Sequence, residues 1–165
     1  VDFIRRLDLK CTMVSANSGL KVRGAHDIEV EADITLYEVD LSESVGIVIP
    51  GGLPGSTNLR DDDRVIDLVR EADEKGLLIA SICAGPIVPE RAGVLAGRQA
   101  TSYPGLQDKL PSATYMEERV VVDGHVITAR GPSIAADFAI EIVDYLYGED
   151  KKAELKTSIL YRIHE

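Results

Sequence analysis

The stretch Leu77-Leu78-Ile79-Ala80-Ser81-Ile82-Cys83-Ala84-Gly85-Pro86 runs from apolar and small residues straight into a cysteine and a turn. A short continuous apolar run bounded by turn residues reads as a strand buried on both faces of a parallel sheet. A helical stretch to about Leu95 follows at once, with Gly93 and Gly97 punctuating its exit. Cys83 therefore stands at the carboxyl end of a strand, and in open α/β sheets ligands bind beyond such ends. A thiol at the head of a helix is also favoured as thiolate by the helix dipole. The arrangement is a nucleophile elbow with sulfur in place of oxygen.

Upstream, Val45-Gly46-Ile47-Val48-Ile49 is a second apolar run, bounded by Pro50-Gly51-Gly52. It too predicts a strand buried on both faces. If the two strands are neighbours, Cys83 faces a glycine loop. Glycine permits close backbone approach, and free N–H groups there, with that of Ala84, can stabilise an anion. Between the runs, Asp61-Asp62-Asp63 precede Val65, Ile66, Leu68, Val69 and Ala72. Acidic residues before one apolar stripe predict a helix, which Gly76 ends.

Further out, Val1–Leu7 reads as a helix with no start signal before it. Leu9, Cys11 and Met13 alternate with Lys10, Thr12 and Val14, which predicts a strand over Leu9–Ser15. Short strands are expected within 21–30 and 34–39. Downstream, two valine-rich runs flank Asp123-Gly124, a hairpin signal. Gly131-Pro132-Ser133 opens a helix whose Ile134, Phe138, Ile142 and Leu146 share a face, and Gly148 closes it. In the tail, Leu155, Ile159, Leu160, Tyr161 and Ile163 suggest docking on the core or on another subunit. Strands alternating with helices imply an α/β fold with a mostly parallel sheet covered on both sides.

The chain has 165 residues, 45% of them hydrophobic, which suits a single domain over 1–165. Its formal charge of -10 repels phosphate backbones and argues against nucleic-acid binding. No apolar run is long enough to span a bilayer, and no signal peptide is evident. Two cysteines make a poor disulfide framework and point to a reducing, cytoplasmic setting. Cys11 lies mid-strand on the apolar face and reads as inert. The residue pattern alone leaves open whether Cys83 is reactive or another buried thiol. His26, His125 and His164 do not adjoin Cys83. Neither metal-ligand spacing nor a phosphate-binding loop occurs.

Val48-Ile49-Pro50-Gly51-Gly52, Asn58-Leu59, Ile79 through Pro86 and Arg130-Gly131-Pro132 together resemble the ThiJ/PfpI superfamily in its DJ-1-like branch. The resemblance runs from Val1 to about Lys156. It implies a flavodoxin-like three-layer sandwich, a homodimer, and no cofactor or metal. It makes Cys83 a redox-sensitive nucleophile and the backbone of Gly52 and Ala84 its oxyanion donors. Gly51, Arg6, His26, Tyr103 and Pro132 fall where this branch lines the pocket or receives the partner subunit. Tyr103 stands where some members carry histidine.

Two departures matter. Protease-like members place histidine directly after the nucleophile, where this chain has Ala84. The family's first strand, with the glutamate that shares a proton with the cysteine, corresponds to sequence upstream of Val1; a further N-terminal segment is therefore expected. The resemblance implies cofactor-independent conversion of methylglyoxal, glyoxal or glycated protein adducts through a Cys83 hemithioacetal. A redox-sensing chaperone switched by Cys83 oxidation is the alternative. An amidase or peptidase lacks support from an adjacent histidine.

Overall fold

The computed structural model describes residues 1–161, so Ile163 and His164 lie outside the described residues. A short helix α1 (Asp2–Arg5) leads into β1 (Val14–Ser15), β2 (Lys21–Arg23), β3 (Glu29–Glu31) and β4 (Ile34–Thr35). Next come β5 (Gly46–Ile49), α2 (Gly55–Arg60), α3 (Asp63–Glu74), β6 (Leu78–Ile82) and α4 (Ile87–Ala92). The chain continues through β7 (Gln99–Ala100), β8 (Thr114–Tyr115), β9 (Val120–Asp123) and β10 (Val126–Ala129). Helices α5 (Ala135–Tyr147) and α6 (Glu149–Ser158) complete it.

The central sheet has the order β5-β6-β10-β9. Its first three strands are parallel, with Ile49 opposite Ser81 and Ala129 opposite Ile82. Strand β9 closes onto β10 as an antiparallel hairpin, in which Gly124 takes the positive φ that a two-residue turn requires. The pleat sends alternate side chains to opposite faces. Ile79 and Val126 pack with Ile66, Val69, Val88 and Leu95 on one side. Leu78, Ala80, Ile127 and Ala129 pack with Ile134, Phe138 and Ile142 on the other. Helices thus cover both faces, which is the three-layer α/β sandwich expected. Of the predicted stripe, Ile134 just before α5 and Phe138 and Ile142 on it are buried, each contributing roughly 1.5–3 kcal/mol, while Leu146 is partly buried against them.

Helix α3 is capped as the acidic run implies. Asp62 accepts a hydrogen bond from the Arg64 backbone N–H. The Arg64 side chain, also bonded to Asp62, holds that carboxyl below the ordinary aspartate range. Leu155 on α6 is fully buried with Leu7, Ile140 and Val143, and Ile159 and Tyr161 pack against them. The tail docks on the core, although Leu160 is exposed.

Several expectations shift. Strand β5 is not buried on both faces: it ends the four-strand order, and Val48 is 47% exposed. Leu9–Ser15 keeps its alternating burial, but only Val14 and Ser15 join a ladder, with β4 alone. The segment 34–39 leaves the strand after Thr35, where Glu38 accepts bonds from the Thr35 N–H and hydroxyl and bends the chain into a 3₁₀ turn. The first helix spans only Asp2–Arg5.

Candidate active site

The two parallel strands β5 and β6 end side by side, and the site is built at their carboxyl ends. Cys83 follows β6 with φ 63°, a left-handed conformation that costs a non-glycine residue about 1–3 kcal/mol. Both of its backbone groups are tied down. Its N–H donates to Ala129 of β10 (2.8 Å), and its carbonyl accepts from Tyr103 (2.8 Å). The chain then makes a turn over 83–86, so α4 begins at Ile87 rather than directly after the cysteine.

Glycines make this geometry possible. A Cβ on Gly51 would stand 2.5 Å from Cys83 Cβ and 3.2 Å from its Sγ. One on Gly85 would stand 2.9 Å from the carbonyl oxygens of both Ile49 and Ile82. The Pro-Gly-Gly loop and the Cys-Ala-Gly turn therefore interlock backbone against backbone. Among the described residues, the N–H groups of Gly52 and Ala84 donate to no backbone carbonyl.

A cavity of about 260 Å³ opens over the cysteine. It is lined by two chain stretches around the elbow, Gly52-Leu53 and Cys83-Ala84, and by a third, Tyr103-Pro104-Gly105-Leu106. The third stretch is a turn hung from the nucleophile: Tyr103 N–H bonds Cys83 O, and Leu106 N–H bonds Tyr103 O (3.2 Å). The Tyr103 ring lies over Gly131, where a Cβ would be 3.5 Å from ring carbon Cδ2. No carboxylate or imidazole lines this cavity among the described residues.

Next to the elbow lies a buried polar layer. Ser81, Thr101, Ser102 and Thr128 are all fully buried. Thr101 N–H donates to Thr128 Oγ1 (2.9 Å), whereas Ser81 Oγ and Thr101 Oγ1 have no partner among the described residues.

The structure thus brings Cys83, Gly51, Gly52, Ala84 and Tyr103 together. Arg6 is bonded to Asp2 on the exposed first helix (2.8 Å), and His26 sits on the exposed β2–β3 turn. Neither lines the cavity. Pro132 is exposed at the lead-in to α5, next to the glycine beneath Tyr103. Leu53, Pro104, Gly105 and Leu106 were not singled out from sequence; only Pro104-Gly105 carried a turn signal. Cys11 borders a separate open depression with Arg5 and Asp33. There the Met13 N–H, helped by Arg5, holds the Asp33 carboxyl below its ordinary range.

The model of the DJ-1/PfpI family matches residues 1–145. The chain belongs to the DJ-1/PfpI family. Within it, the chain is 37% identical to protein dj-1beta of Drosophila melanogaster over 96% of this chain and 86% of that protein. It is 31% identical to the Parkinson disease protein 7 homolog of Danio rerio, over 98% and 88% of the two chains. The solved structure of oxidized Toxoplasma gondii DJ-1 superposes with a TM-score of 0.92 at 31% identity, covering 98% of this chain and 88% of that one. These likenesses support the DJ-1/PfpI fold over nearly the whole chain. No helix among the described residues is long and apolar enough to cross a membrane.

Proposed function

We propose that this DJ-1/PfpI member is a cysteine-dependent stress-protection enzyme that acts on reactive carbonyls, with 2-oxoaldehydes as its small-molecule substrates. The observation that carries this reading is a thiol held at positive φ, on the lining of a cavity that also includes two residues whose backbone N–H groups have no carbonyl partners among the described residues. Strain at a reactive residue, maintained by surrounding structure, is a mark of function.

In this reading the Cys83 thiolate adds to the aldehyde carbon. A C–S bond forms, the carbonyl pair moves to oxygen, and the Gly52 and Ala84 N–H groups stabilise the oxyanion. The C–H proton of that carbon is then removed, giving an enediol, and the neighbouring carbon is protonated. The first carbon is thereby oxidised to a thioester and the second reduced to an alcohol, with no external oxidant. Water attacks the thioester, the C–S bond breaks, and a 2-hydroxy acid leaves. Because the lining holds no carboxylate or imidazole among the described residues, the proton moves through water or a group outside that lining. Glycated protein adducts carry the same hemithioacetal-forming carbonyl chemistry. We place the reaction in the cytoplasm and the protein in a homodimer, with no cofactor.

A second reading, a redox-sensing chaperone, draws support from the partial exposure of Cys83 and from the relative solved in an oxidized state. The deciding measurement is lactate formed from methylglyoxal by the protein and by Cys83→Ser. Turnover lost in the serine variant supports the enzyme. No turnover, with Cys83 reduced and the fold intact, would transfer the proposal to the sensor.

A further inference from the structure

We infer that Thr128 is a positioning residue that keeps the elbow cysteine in its strained conformation. This rests on the reading of Cys83 as a reactive thiol, which the carbonyl-converting and redox-sensing roles share. Two hydrogen bonds hold Cys83 at φ 63°. Its N–H donates to the Ala129 carbonyl at the end of β10 (2.8 Å), and its own carbonyl accepts from the Tyr103 N–H (2.8 Å). Ala129 and Tyr103 belong to separate stretches of chain. A third bond ties those stretches together: the Thr101 N–H donates to Thr128 Oγ1 (2.9 Å). The three bonds, with the short segments 128–129 and 101–103, close a ring that starts and ends at Cys83. The first two bonds are made by main-chain groups alone. The third depends on a side chain, that of Thr128.

The topology explains why a hydroxyl is needed at this point. Strand β7 ends at Ala100, and its ladder partner is β8, so the Thr101 N–H lies beyond the ladder. Thr101 and Thr128 are both fully buried. A buried N–H needs a partner, and Thr128 supplies one in place of a neighbouring strand. Branching at Cβ restricts χ1, so the threonine oxygen has few positions open to it. Such rigidity matters because a non-glycine residue stays in the left-handed region only where its surroundings over-determine it. With valine at position 128, the Thr101 N–H is left buried without its acceptor, and segment 101–103 can withdraw from the elbow. Cys83 then relaxes toward negative φ, and Sγ moves relative to the Pro-Gly-Gly loop. The Tyr115 hydroxyl, which donates to the Ser102 carbonyl (3.2 Å), steadies the same segment from outside the ring.

The test alkylates the whole purified protein with iodoacetamide and reads Cys83 and Cys11 separately by peptide mass spectrometry. Cys11 borders a different depression and serves as a reference within the same molecule. A general loss of stability would expose both thiols, whereas opening the ring slows Cys83 alone. In the unmodified protein Cys83 reacts faster than Cys11. Thr128→Val lowers the Cys83-to-Cys11 rate ratio by about tenfold. Thr128→Ser, which keeps the hydroxyl, restores most of it. A ratio unmoved in Thr128→Val, or lowered as far in Thr128→Ser, overturns the positioning role and leaves the reading of Cys83 intact. Cys83 reacting no faster than Cys11 in the unmodified protein overturns both. Should Thr128→Val fail to fold, hydrogen exchange of the unmodified protein reads the same link. The Cys83, Thr101 and Tyr103 amides then exchange as one cooperative unit. A Thr101 amide that exchanges independently of the other two overturns the inference.

Discussion

The two ends of the β6–β10 strand pair are built on opposite terms. At the carboxyl ends, Cys83 holds a strained conformation against Gly51, with an open cavity and two unpartnered hydroxyls next to the elbow. At the amino ends, polar groups are cross-tied. His125 Nε2 donates to Asp73 on α3 (2.6 Å), and Arg98 lies 4.0 Å from carboxylate oxygens of both Asp73 and Asp123. Arg98 also donates to the backbone carbonyls of Val94 and Asp123, and Asp123 accepts from the Gln99 N–H. One end therefore stores strain that chemistry can use. The other fastens α3, β7 and the β9–β10 hairpin to one another without touching the cavity. Packing in the shared middle, where Ile79, Val126, Ile127 and Ala129 are fully buried, lets the two ends differ.

The contrast is broken most severely at Gly51. Gly51→Ala drives a Cβ into Cys83 and to 2.8 Å from the Ile82 carbonyl, backbone that cannot yield cheaply. Thermal unfolding should show a loss of about 3 kcal/mol, with thiol reactivity reduced in whatever protein remains folded. An unchanged melting temperature would mean the interlock is looser than described. Cys83→Gly tests the strain from the other side. It should raise stability by about 1 kcal/mol, because the φ of 63° is free for glycine, while removing the elbow thiol and with it any turnover. A destabilised glycine variant would show that thiol packing outweighs the strain. The smallest change is expected at the tied end: His125→Ala should cost ~1 kcal/mol and leave the rate of Cys83 alkylation within about twofold. A larger change in that rate would couple the two ends.

What was legible in sequence follows the same division. The elbow could be read because a strand buried on both faces forces a continuous apolar run, and because backbone-to-backbone contact at positions 51 and 85 admits only glycine. The α5 stripe and the hairpin are local patterns and formed close to where they were expected, the hairpin's two-residue loop being Gly124-His125, one position beyond Asp123-Gly124. Strand order is not local, so the exposure of Val48 at the end of the sheet was missed. Two-residue ladders such as β7 with β8 are too short to leave a period. The third stretch of the cavity lining was missed for a related reason. Leu106 reaches the site through a hydrogen bond between Tyr103 and Cys83, twenty positions apart, and nothing about a leucine in a loop announces it.

That same bond ties a tyrosine to the nucleophile. The chain has no tryptophan, so its six tyrosines dominate its near-ultraviolet absorption and emission. Of these, Tyr103 lines the cavity and is joined through its backbone to the residue carrying the thiol. Whatever adds to Cys83, whether carbonyl carbon or oxygen, enters the cavity that this tyrosine also lines. The nucleophile and an aromatic ring thus share one small space, tied to each other through the main chain.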